Sequence, residues 1–437
     1  MTTISLDQAI SAAGTGRYQR KLLGIFGLVW AADAMQVLAI GFAAPTLSRT
    51  FGVSIAEAVQ VGSVFFLGMI VGAWGFGRLA DRYGRRRVLI VTVLCDAVLG
   101  LLSAVSPGFT SLLIFRFLTG IAVGGTLPVD YALMAEFLPA KNRGRWLVGL
   151  EAFWAVGTVV LALVSWLAAT YAGDAAWRWI FAATALPAVI GFGLRLWVPE
   201  SPQYLARTGR STNALDVVNR IARANGNPPV KGELVEAKQE AAPTSAIFAG
   251  DLLQPTILIL AVWLLVSVSY YGVFVWLPSQ LAASGHSFLR GPGFLVLLAL
   301  AQLPGYALAA YGVERWGRRI TLIGFLVLSA LGCFLYVLAE SAGPVAAAML
   351  LMSFAMLGAW GALYAFTPEI YPTRLRATGM GTAGAMARVG GLLAPSAVGL
   401  VVASSFEIAI SLFAALLVIA ALAAYAVPVE TRARPLD

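Results

Sequence analysis

Charge is scarce in this chain of 437 residues, because only 12% of them are Asp, Glu, Lys or Arg and 59% are apolar. A soluble domain usually carries about twice that share of charge. The shortage therefore excludes a water-soluble enzyme. Intrinsic disorder is excluded too, because 11% of the residues are aromatic and the mean hydropathy is +0.83. The apolar residues must be buried in lipid.

Metal-ligating and nucleophilic side chains are equally scarce. The chain has one histidine, His286, and two cysteines, Cys95 and Cys333, which lie within apolar runs. Both cysteines are predicted to be small buried side chains outside any disulfide framework. No Walker loop, nucleophile elbow, His-Glu-x-x-His or Cys-x-x-Cys motif occurs. The sequence predicts no enzyme activity, no metal site and no cofactor.

Long apolar runs are what the sequence has instead. A helix that crosses a bilayer needs about 20 apolar residues, and twelve runs approach or exceed that length. They cover residues 21–47, 58–76, 88–105, 110–135, 146–170, 177–198, 254–281, 291–311, 320–338, 344–366, 380–402 and 407–427. The stretch 6–20 before the first run is predicted to be an amphipathic helix at the membrane surface, with Tyr18 as its anchor.

Positive charge is strongly biased to one side of the predicted spans. That side holds 25 of the 30 Lys and Arg residues, and the other side holds Arg49, Arg178 and Arg290. By the positive-inside rule both termini are cytoplasmic, and the basic excess sets topology, so no nucleic-acid partner is expected. No cleavable signal peptide is predicted, because a full-length apolar run follows the polar start. A bacterial cytoplasmic (inner) membrane fits best.

The two groups of six runs are related by an internal repeat. One constant offset along the chain superimposes the basic loop 81–86 on 314–319, Glu136 on Glu369, Arg143 on Arg376 and Gly157 on Gly390. The sequence therefore predicts an all-α membrane protein with twelve transmembrane helices in two pseudo-symmetric six-helix halves. The halves are residues 1–198 and 254–437, and residues 199–253 form a cytoplasmic linker with short helices.

Several short motifs stand out in the loops and spans. They are Gly77-x-x-x-Asp81-Arg82-x-Gly84-Arg85-Arg86, Phe115-Arg116-x-x-x-Gly120, Glu136-x-x-Pro139-x-x-x-Arg143-Gly144-Arg145, Pro199-Glu200-Ser201-Pro202, Pro368-Glu369-x-Tyr371-Pro372, Gly16-Arg17-Tyr18-Gln19, Asp33-Ala34-Met35 and Leu150-Glu151-Ala152-Phe153-Trp154. These motifs resemble those of the major facilitator superfamily, and the resemblance covers the whole chain. The sugar-porter and organic-ion branch is the most similar, and within it the bacterial niacin (nicotinate) transporters, which are related to animal organic-ion transporters and synaptic vesicle glycoprotein 2.

The resemblance implies a secondary transporter that imports an organic monoanion, nicotinate or a related aromatic carboxylate, together with a proton. A proton-coupled sugar or other organic-ion porter is the main alternative, and a non-transporting receptor is a further one. A drug–proton antiporter would carry Gly-Pro-x-x-Gly-Gly in the fifth span, and residues 154–163 lack it. The expected partners are the organic anion, the proton and membrane lipid, and the protein is expected to be monomeric.

Charged residues inside the spans are the candidates for proton coupling, because each is costly in lipid and needs a partner. In the sugar porters that this pattern resembles, an acid in span one and the motif arginine of span four form a proton switch. Asp33 and Arg116 would occupy those positions here, and Glu151 is assigned to the same group. A static ion pair is the alternative. Relatives often carry a second acid three residues after the first, where this chain has Gln36.

Substrate binding is predicted around Arg388, near the middle of the eleventh run. A guanidinium can hold a carboxylate through two parallel hydrogen bonds. The alternative is an internal ion pair with Asp96 or Asp130. Aromatic side chains at a similar depth would stack on a flat substrate, or else only pack helices. Mid-span amides would bond a pyridine nitrogen or cross-link helices. These candidates are Trp154, Tyr270, Trp360, Tyr364, Gln36 and Gln302.

A gate is predicted in the cytoplasmic loops, where acids lie among arginines at the ends of the spans. Such pairs can hold the inside closed in one state. The alternative is that these are solvated topology charges, since exposed pairs contribute only about 0–1 kcal/mol. The candidates are Asp81, Arg82, Arg85, Glu136, Arg145, Glu200, Glu314, Arg315, Arg318, Glu369 and Arg376.

Overall fold

The structure is a computed structural model that describes residues 3–139, 143–185, 197–235, 244–283, 292–402 and 405–428. His286 and Arg290 lie outside the described residues, and so does the side chain of Asp81. Ten helices within the described residues are long and apolar enough to cross a bilayer. The sixth predicted span falls largely on residues 186–196, which are not described. The count of twelve spans therefore stays a prediction.

The first half of the chain is almost entirely helical where it is described. Ser54 begins one of its long helices with a reciprocal capping box, in which Ser54 and Glu57 each bond the other's backbone N–H. The elements are β1 (Thr3–Ser5), α1 (Leu6–Ala13), α2 (Arg17–Phe51), α3 (Ile55–Tyr83), α4 (Arg85–Ala104), α5 (Phe109–Glu136), α6 (Arg143–Glu151), α7 (Phe153–Tyr171) and α8 (Ala176–Ala183).

The linker and the second half continue the pattern. A turn at Ala301 interrupts one span, as a turn at Ala152 interrupts the span formed by α6 and α7. The elements are α9 (Pro202–Arg207), α10 (Ser211–Asn225), β2 (Glu233–Val235), α11 (Leu253–Ala283), α12 (Pro292–Leu300), α13 (Gln302–Arg315), α14 (Arg318–Leu338), α15 (Ala342–Ile370), α16 (Thr373–Val402) and α17 (Phe406–Ala426).

The start of the chain packs on the linker. Strand β1 pairs in parallel with β2, Thr3 opposite Glu233, and α1 packs against α10. Asn225 accepts a hydrogen bond from the Tyr18 backbone N–H at 3.1 Å and donates to the Gly14 carbonyl at 2.9 Å. Tyr18 is buried, its ring centroid 6.3 Å from that of Phe137. The prediction of a surface helix anchored in lipid by Tyr18 is wrong, because these contacts fix the segment to protein.

The repeat seen in the sequence recurs in the geometry. Gly84 and Gly317, which the same offset relates, both adopt positive φ, at 103° and 104°. This left-handed region suits glycine, which has no Cβ to clash there. Arg85 pairs with Glu136, and Arg318 pairs with Glu369 at 3.0 Å. The two halves therefore turn and pair in the same way at equivalent loops.

Within the described residues the halves meet most extensively along three pairs of spans, α2 with α11, α3 with α16, and α7 with α12. We call the end of the bundle that holds Arg85 and Arg318 the basic end. At the opposite end the halves are in direct contact, since Ser63 Oγ donates to the Leu392 carbonyl at 3.2 Å. The rings of Phe66 and Tyr271 also meet there, with centroids 4.7 Å apart. The halves are therefore in contact between the middle of the bundle and that end in this conformation.

The two cysteines differ in environment. Cys333 is buried beside Met352, with the two sulfur atoms 3.4 Å apart. Cys95 is exposed on the outer surface of α4. The prediction that both are buried is therefore wrong for Cys95, because an apolar run contains positions that face lipid as well as positions that face protein.

Glycines bring α3 and α5 into close contact, as small residues do between membrane helices. A Cβ at Gly72 would collide with the Ile121 carbonyl, whereas Gly75 on the same helix has no atom nearby. We expect Gly72→Ala to destabilise the protein by about 1–3 kcal/mol and to lower its thermal unfolding midpoint in detergent. Gly75→Ala is the control and should leave the midpoint at or above that of the unmodified protein. Equal midpoints for the two variants would contradict this packing.

Candidate functional site

Arg388 lies on α16 where the two halves face each other. Its Nη1 donates to the Gly384 carbonyl at 2.8 Å, while its Nε has no hydrogen-bond partner among the described residues. The side chain is only partly buried. Tyr271, Tyr364 and Asp33 lie within electrostatic range of it. The guanidinium thus keeps donors free for a further acceptor.

Aromatic side chains from both halves surround this position. The centroid of Trp263 lies 4.8 Å from that of Tyr364 and 5.4 Å from that of Trp360. The Trp360 centroid lies 6.0 Å from that of Tyr270, and Tyr131 of the first half lies 5.7 Å from Tyr364. Three of the predicted aromatic residues are therefore brought together. Sequence reasoning missed Trp263, Tyr131 and Trp30, for which spacing along a helix gives no signal.

One hydrogen bond crosses between the halves inside this aromatic cluster. Trp154 Nε1 donates to the Tyr270 hydroxyl at 2.9 Å, and both side chains are buried. Trp154 belongs to α7 and Tyr270 to α11. The predicted residue Trp154 is thus joined directly to the predicted residue Tyr270.

Glu151 is the last residue of α6, immediately before the turn at Ala152. Its carboxyl is buried, and Oε1 has no hydrogen-bond partner among the described residues. Tyr131, Tyr271 and Tyr364 lie within its electrostatic range. A buried carboxyl oxygen without a partner is costly unless the group is protonated or meets a ligand. Glu151 therefore borders the same space as Arg388.

Arg116 and Gln36 form a separate polar site inside the first half. Arg116 Nη1 donates to Gln36 Oε1 at 2.5 Å, and Nη2 donates to the Gln36 carbonyl at 2.7 Å. Gln36 Nε2 donates in turn to Asp96 Oδ1 at 2.6 Å. Within the described part of the chain, no ion pair joins Asp33 to Arg116. Gln36 is thus occupied by protein groups, in the way that the cross-linking alternative describes.

Asp33 lies between this polar site and Arg388. Asp96, Asp130 and Arg388 are all within its electrostatic range. Asp130 is buried, and neither of its carboxyl oxygens has a hydrogen-bond partner in the described residues. Asp33 therefore has two further acids and one arginine of the predicted spans within electrostatic range.

Gln302 begins α13 just after the turn at Ala301 and faces a small cavity. The cavity has about 20 Å³ of usable space, which is enough for one water molecule. Neither amide atom of Gln302 has a partner among the described residues, and the side chain is buried. The other lining residues are Leu38, Phe42, Thr158, Phe274, Leu277, Pro278, Leu295, Leu298 and Ala299.

The predicted gate residues divide into a paired and an exposed group at the basic end. Glu136 meets Arg85 and the Ser201 hydroxyl, and Glu200 accepts from the Arg86 backbone N–H at 3.0 Å. These contacts join loops within the first half and the linker. The exposed group is Arg82, Arg145, Glu314 and Arg315.

The second half repeats the paired arrangement. Arg318 makes two contacts with Glu369, Nε to Oε2 at 3.0 Å and Nη2 to Oε1 at 3.1 Å. The contact of Nη2 with Oε1 is a hydrogen bond between charged groups, which is the stronger kind. Arg376 Nε donates to the Pro368 carbonyl at 2.9 Å and lies within electrostatic range of Arg143 from the other half. The Arg85–Glu136 pair lies within the first half and the Arg318–Glu369 pair lies within the second. Each pair therefore fixes helix ends of its own half to each other.

Comparison with known proteins identifies the fold and the family. The family described as sugar (and other) transporter matches residues 17–437. The chain belongs to this family of the major facilitator superfamily. It is a membrane transporter and not an enzyme. The membership predicted from the loop motifs is confirmed, and the match covers both halves of the repeat.

Characterised relatives carry names that match the finer resemblance. A niacin transporter of Acinetobacter baylyi is 38% identical over 382 residues, which are 87% of this chain and 86% of that protein. A putative niacin/nicotinamide transporter of Bacillus subtilis is 36% identical, over 96% of this chain and 98% of that one. A synaptic vesicle 2-related protein of Xenopus laevis is 31% identical over 100% of this chain and 82% of its own length. The predicted similarity to niacin transporters is confirmed.

Solved structures agree on the architecture. A partially occluded, inward-open structure of the E. coli xylose transporter superposes with a TM-score of 0.75 at 19% identity, over 96% of this chain and 100% of that one. A proton:xylose symporter bound to a bromodeoxyglucose superposes with a TM-score of 0.74 at 20% identity, over 96% and 98%. At such low identity the likeness shows the shared fold.

The Trp154–Tyr270 hydrogen bond joins the two halves in this conformation. We expect Trp154→Phe and Tyr270→Phe each to lower the thermal unfolding midpoint. The double variant should lose less stability than the sum of the two single losses, with a coupling free energy of about 0.5–1.5 kcal/mol. Trp154→Phe combined with the distant Tyr336→Phe is the control and should be additive. If the stability losses of Trp154→Phe and Tyr270→Phe simply add in the double variant, the hydrogen bond contributes nothing to stability.

Proposed function

We propose that the protein imports an organic monoanion, nicotinate or a related aromatic carboxylate, together with a proton by alternating access. In this proposal it lies in the bacterial inner membrane as a monomer with both termini cytoplasmic. Residues 1–198 and 254–437 move relative to each other, and residues 199–253 join them. The names of the niacin transporters that match most of this chain support the substrate class.

Arg388 carries the proposal. It is a cation at the junction of the halves, it keeps Nε free among the described residues, and aromatic rings surround it. A guanidinium with free donors suits a carboxylate, and flat rings suit an aromatic ring beside it. Tyr270, Trp360, Tyr364 and Trp154 would line the substrate, with Gln302 as a polar partner at the opposite end.

Proton coupling is proposed for Asp33, Arg116 and Glu151. Asp33 is buried within electrostatic range of Arg388, so a bound anion that neutralises Arg388 would favour proton uptake by Asp33. Binding of substrate and binding of proton would then assist each other. The ion pairs of Glu136 and Glu369 at the basic end would form the cytoplasmic gate, with the exposed arginines around them.

A proton-coupled sugar porter is the second candidate, favoured by the fold shared with the xylose transporter. Arg388 argues against it, because a neutral sugar has no group that matches an unpaired guanidinium. Competition separates the two candidates. Excess glucose should leave nicotinate uptake unchanged if the site takes carboxylates, and should block uptake if the site takes sugars.

Uptake of labelled nicotinate into proteoliposomes tests the proposal directly. One proton moving with one monoanion is electrically neutral, so only the pH gradient drives uptake, at about 1.4 kcal/mol per pH unit. We expect uptake with an acidic exterior and no response to a voltage set by potassium and valinomycin. A response to voltage alone would contradict neutral symport, and no uptake under either gradient would remove nicotinate as substrate.

Arg388→Lys tests the carboxylate anchor. Lysine keeps the charge but loses the planar fork, so we expect nicotinate affinity to fall by about 1.5–3 kcal/mol, or roughly ten- to a hundredfold. Equilibrium binding to the purified protein measures this. Arg49→Lys is the matched control, since Arg49 is exposed and pairs with Asp174. Unchanged affinity in Arg388→Lys would contradict the assignment.

A further inference from the structure

Three buried side chains from three different spans form one continuous polar chain in the first half. They are Asp96 on α4, Gln36 on α2 and Arg116 on α5, each with no more than 1% of its surface exposed. The contact distances are 2.6 Å between Asp96 Oδ1 and Gln36 Nε2, and 2.5 Å between Gln36 Oε1 and Arg116 Nη1. The carboxylate and the guanidinium are thus joined through an amide.

Chemistry fixes the direction of this chain. Arg116 can only donate, so it must face the amide oxygen, and an ionised Asp96 can only accept, so it must face the amide nitrogen. Gln36 is the side chain that satisfies both neighbours at once. A second contact holds Arg116 in place, because Nη2 donates to the Gln36 backbone carbonyl at 2.7 Å. The rings of Phe65 and Phe181 flank the guanidinium at 4.4 Å and 5.0 Å.

The helix that carries Asp96 is shaped to admit the amide. Gly100 lies one turn after Asp96, and a Cβ there would stand 2.7 Å from Gln36 Nε2 and 3.1 Å from Thr184 Oγ1. The Gln36 amide nitrogen also lies 3.5 Å from the Thr184 carbonyl. The absence of a side chain at Gly100 therefore leaves the space in which the amide links the two charges.

Asp33 has a different set of neighbours. It is on the same helix as Gln36 but one turn earlier, and its electrostatic neighbours are Asp96, Asp130 and Arg388. Within the described residues no ion pair connects it to Arg116. The carboxylate that balances Arg116 is therefore the one on α4.

We propose that Asp96 binds and releases a proton in the transport cycle and that it acts on Arg116 through the amide of Gln36. This inference rests on the proposed proton-coupled function, and within it the transported proton is carried by Asp96 in place of Asp33. With Asp96 ionised, the chain Asp96–Gln36–Arg116 is neutral overall and holds α2, α4 and α5 together. A proton taken up by the Asp96 carboxylate from one side of the membrane removes that balance and leaves Arg116 with excess charge. The same proton is released to the other side when the chain re-forms.

Among the described residues, few other charges face Asp96 from the helices packed around α4. Arg116 comes from α5 and Asp33 from α2, and Cys95 is its neighbour along the chain. Helix α8 contributes Thr184 near the amide and Arg178, whose Nη1 donates to the Ala104 carbonyl two turns away. Helix α3 carries its charged residues, Glu57, Arg78, Asp81 and Arg82, at its two ends. Arg116 is thus the cation that responds to the charge on Asp96.

Moving the acidic side chain from position 96 to position 36 by mutation tests the proposal. Asp96→Asn removes the acid, and the double variant Gln36→Glu with Asp96→Asn places an acid directly against Arg116 at unchanged total charge. We would measure the accumulation ratio of labelled nicotinate in proteoliposomes against the size of the pH gradient. Neutral symport predicts about a tenfold ratio per pH unit. We expect that ratio in the unmodified protein, a ratio near one in Asp96→Asn, and recovery of the tenfold ratio in the double variant.

Gly100→Ala breaks the chain without changing any charge. The added Cβ displaces the Gln36 amide, so we expect the accumulation ratio per pH unit to fall toward one. Gly75→Ala, at an open position, is the matched control and should keep the tenfold ratio. A wild-type ratio in both Asp96→Asn and Gly100→Ala, with uptake in the unmodified protein still driven by pH, would overturn the role of Asp96 and leave the proposed function standing.

A measurement without substrate separates failure of this inference from failure of the proposed function. The infrared difference spectrum between acidic and neutral pH should show the C=O stretch of a protonated carboxyl, and Asp96→Asn should lose that band. The double variant, whose fold keeps an acid beside Arg116, should retain a band at a shifted position. If nicotinate uptake proves independent of pH, the proposed function fails, and an unchanged band in Asp96→Asn overturns this inference whatever the substrate.

Discussion

A charged side chain inside a bilayer has no water to solvate it, so it must find its partner within the protein. The arrangement of the spans around this requirement explains most of the site. Arg116 is bonded to Gln36, and through it to Asp96, while Arg388 bonds only the carbonyl of Gly384 among the described residues. The first arginine thus bonds Gln36 through both Nη atoms, whereas the second bonds the protein through Nη1. The proposed distinction between a coupling residue and a binding residue rests on this difference.

Close packing of the helices makes this arrangement possible. Gly157 lies against the Ala31 carbonyl, and its counterpart in the repeat, Gly390, lies against the Leu264 carbonyl. Small residues at these positions let each half behave as a compact unit. Between the units the contacts include aromatic rings, single hydrogen bonds such as Trp154 to Tyr270, and a close approach of Gly41 to the Val275 carbonyl.

Much of the fold could be predicted from the sequence, because the length of the apolar runs indicates the membrane spans and the positions of the basic residues indicate their orientation. The buried charges could also be located along each span. Their partners could not, because a helix face does not say which neighbour it meets. Gln36 therefore gave no sign that it bridges Arg116 and Asp96, and Trp263 and Tyr131 gave none that they join the aromatic cluster. Cys95 shows the same limit, since hydropathy does not separate lipid-facing from protein-facing positions.

The pairing of β1 with β2 has a consequence for the order of biosynthesis. Thr3 is opposite Glu233, so the first strand waits for a partner in the linker, which is made only after the whole first half. At usual rates of synthesis the delay is roughly 10–50 s. By then the ribosome has already produced α2 to α8, and β1 can pair with β2 of the linker only after that. The first residues of the chain can therefore pair only after the first half and the linker as far as β2 have been synthesised.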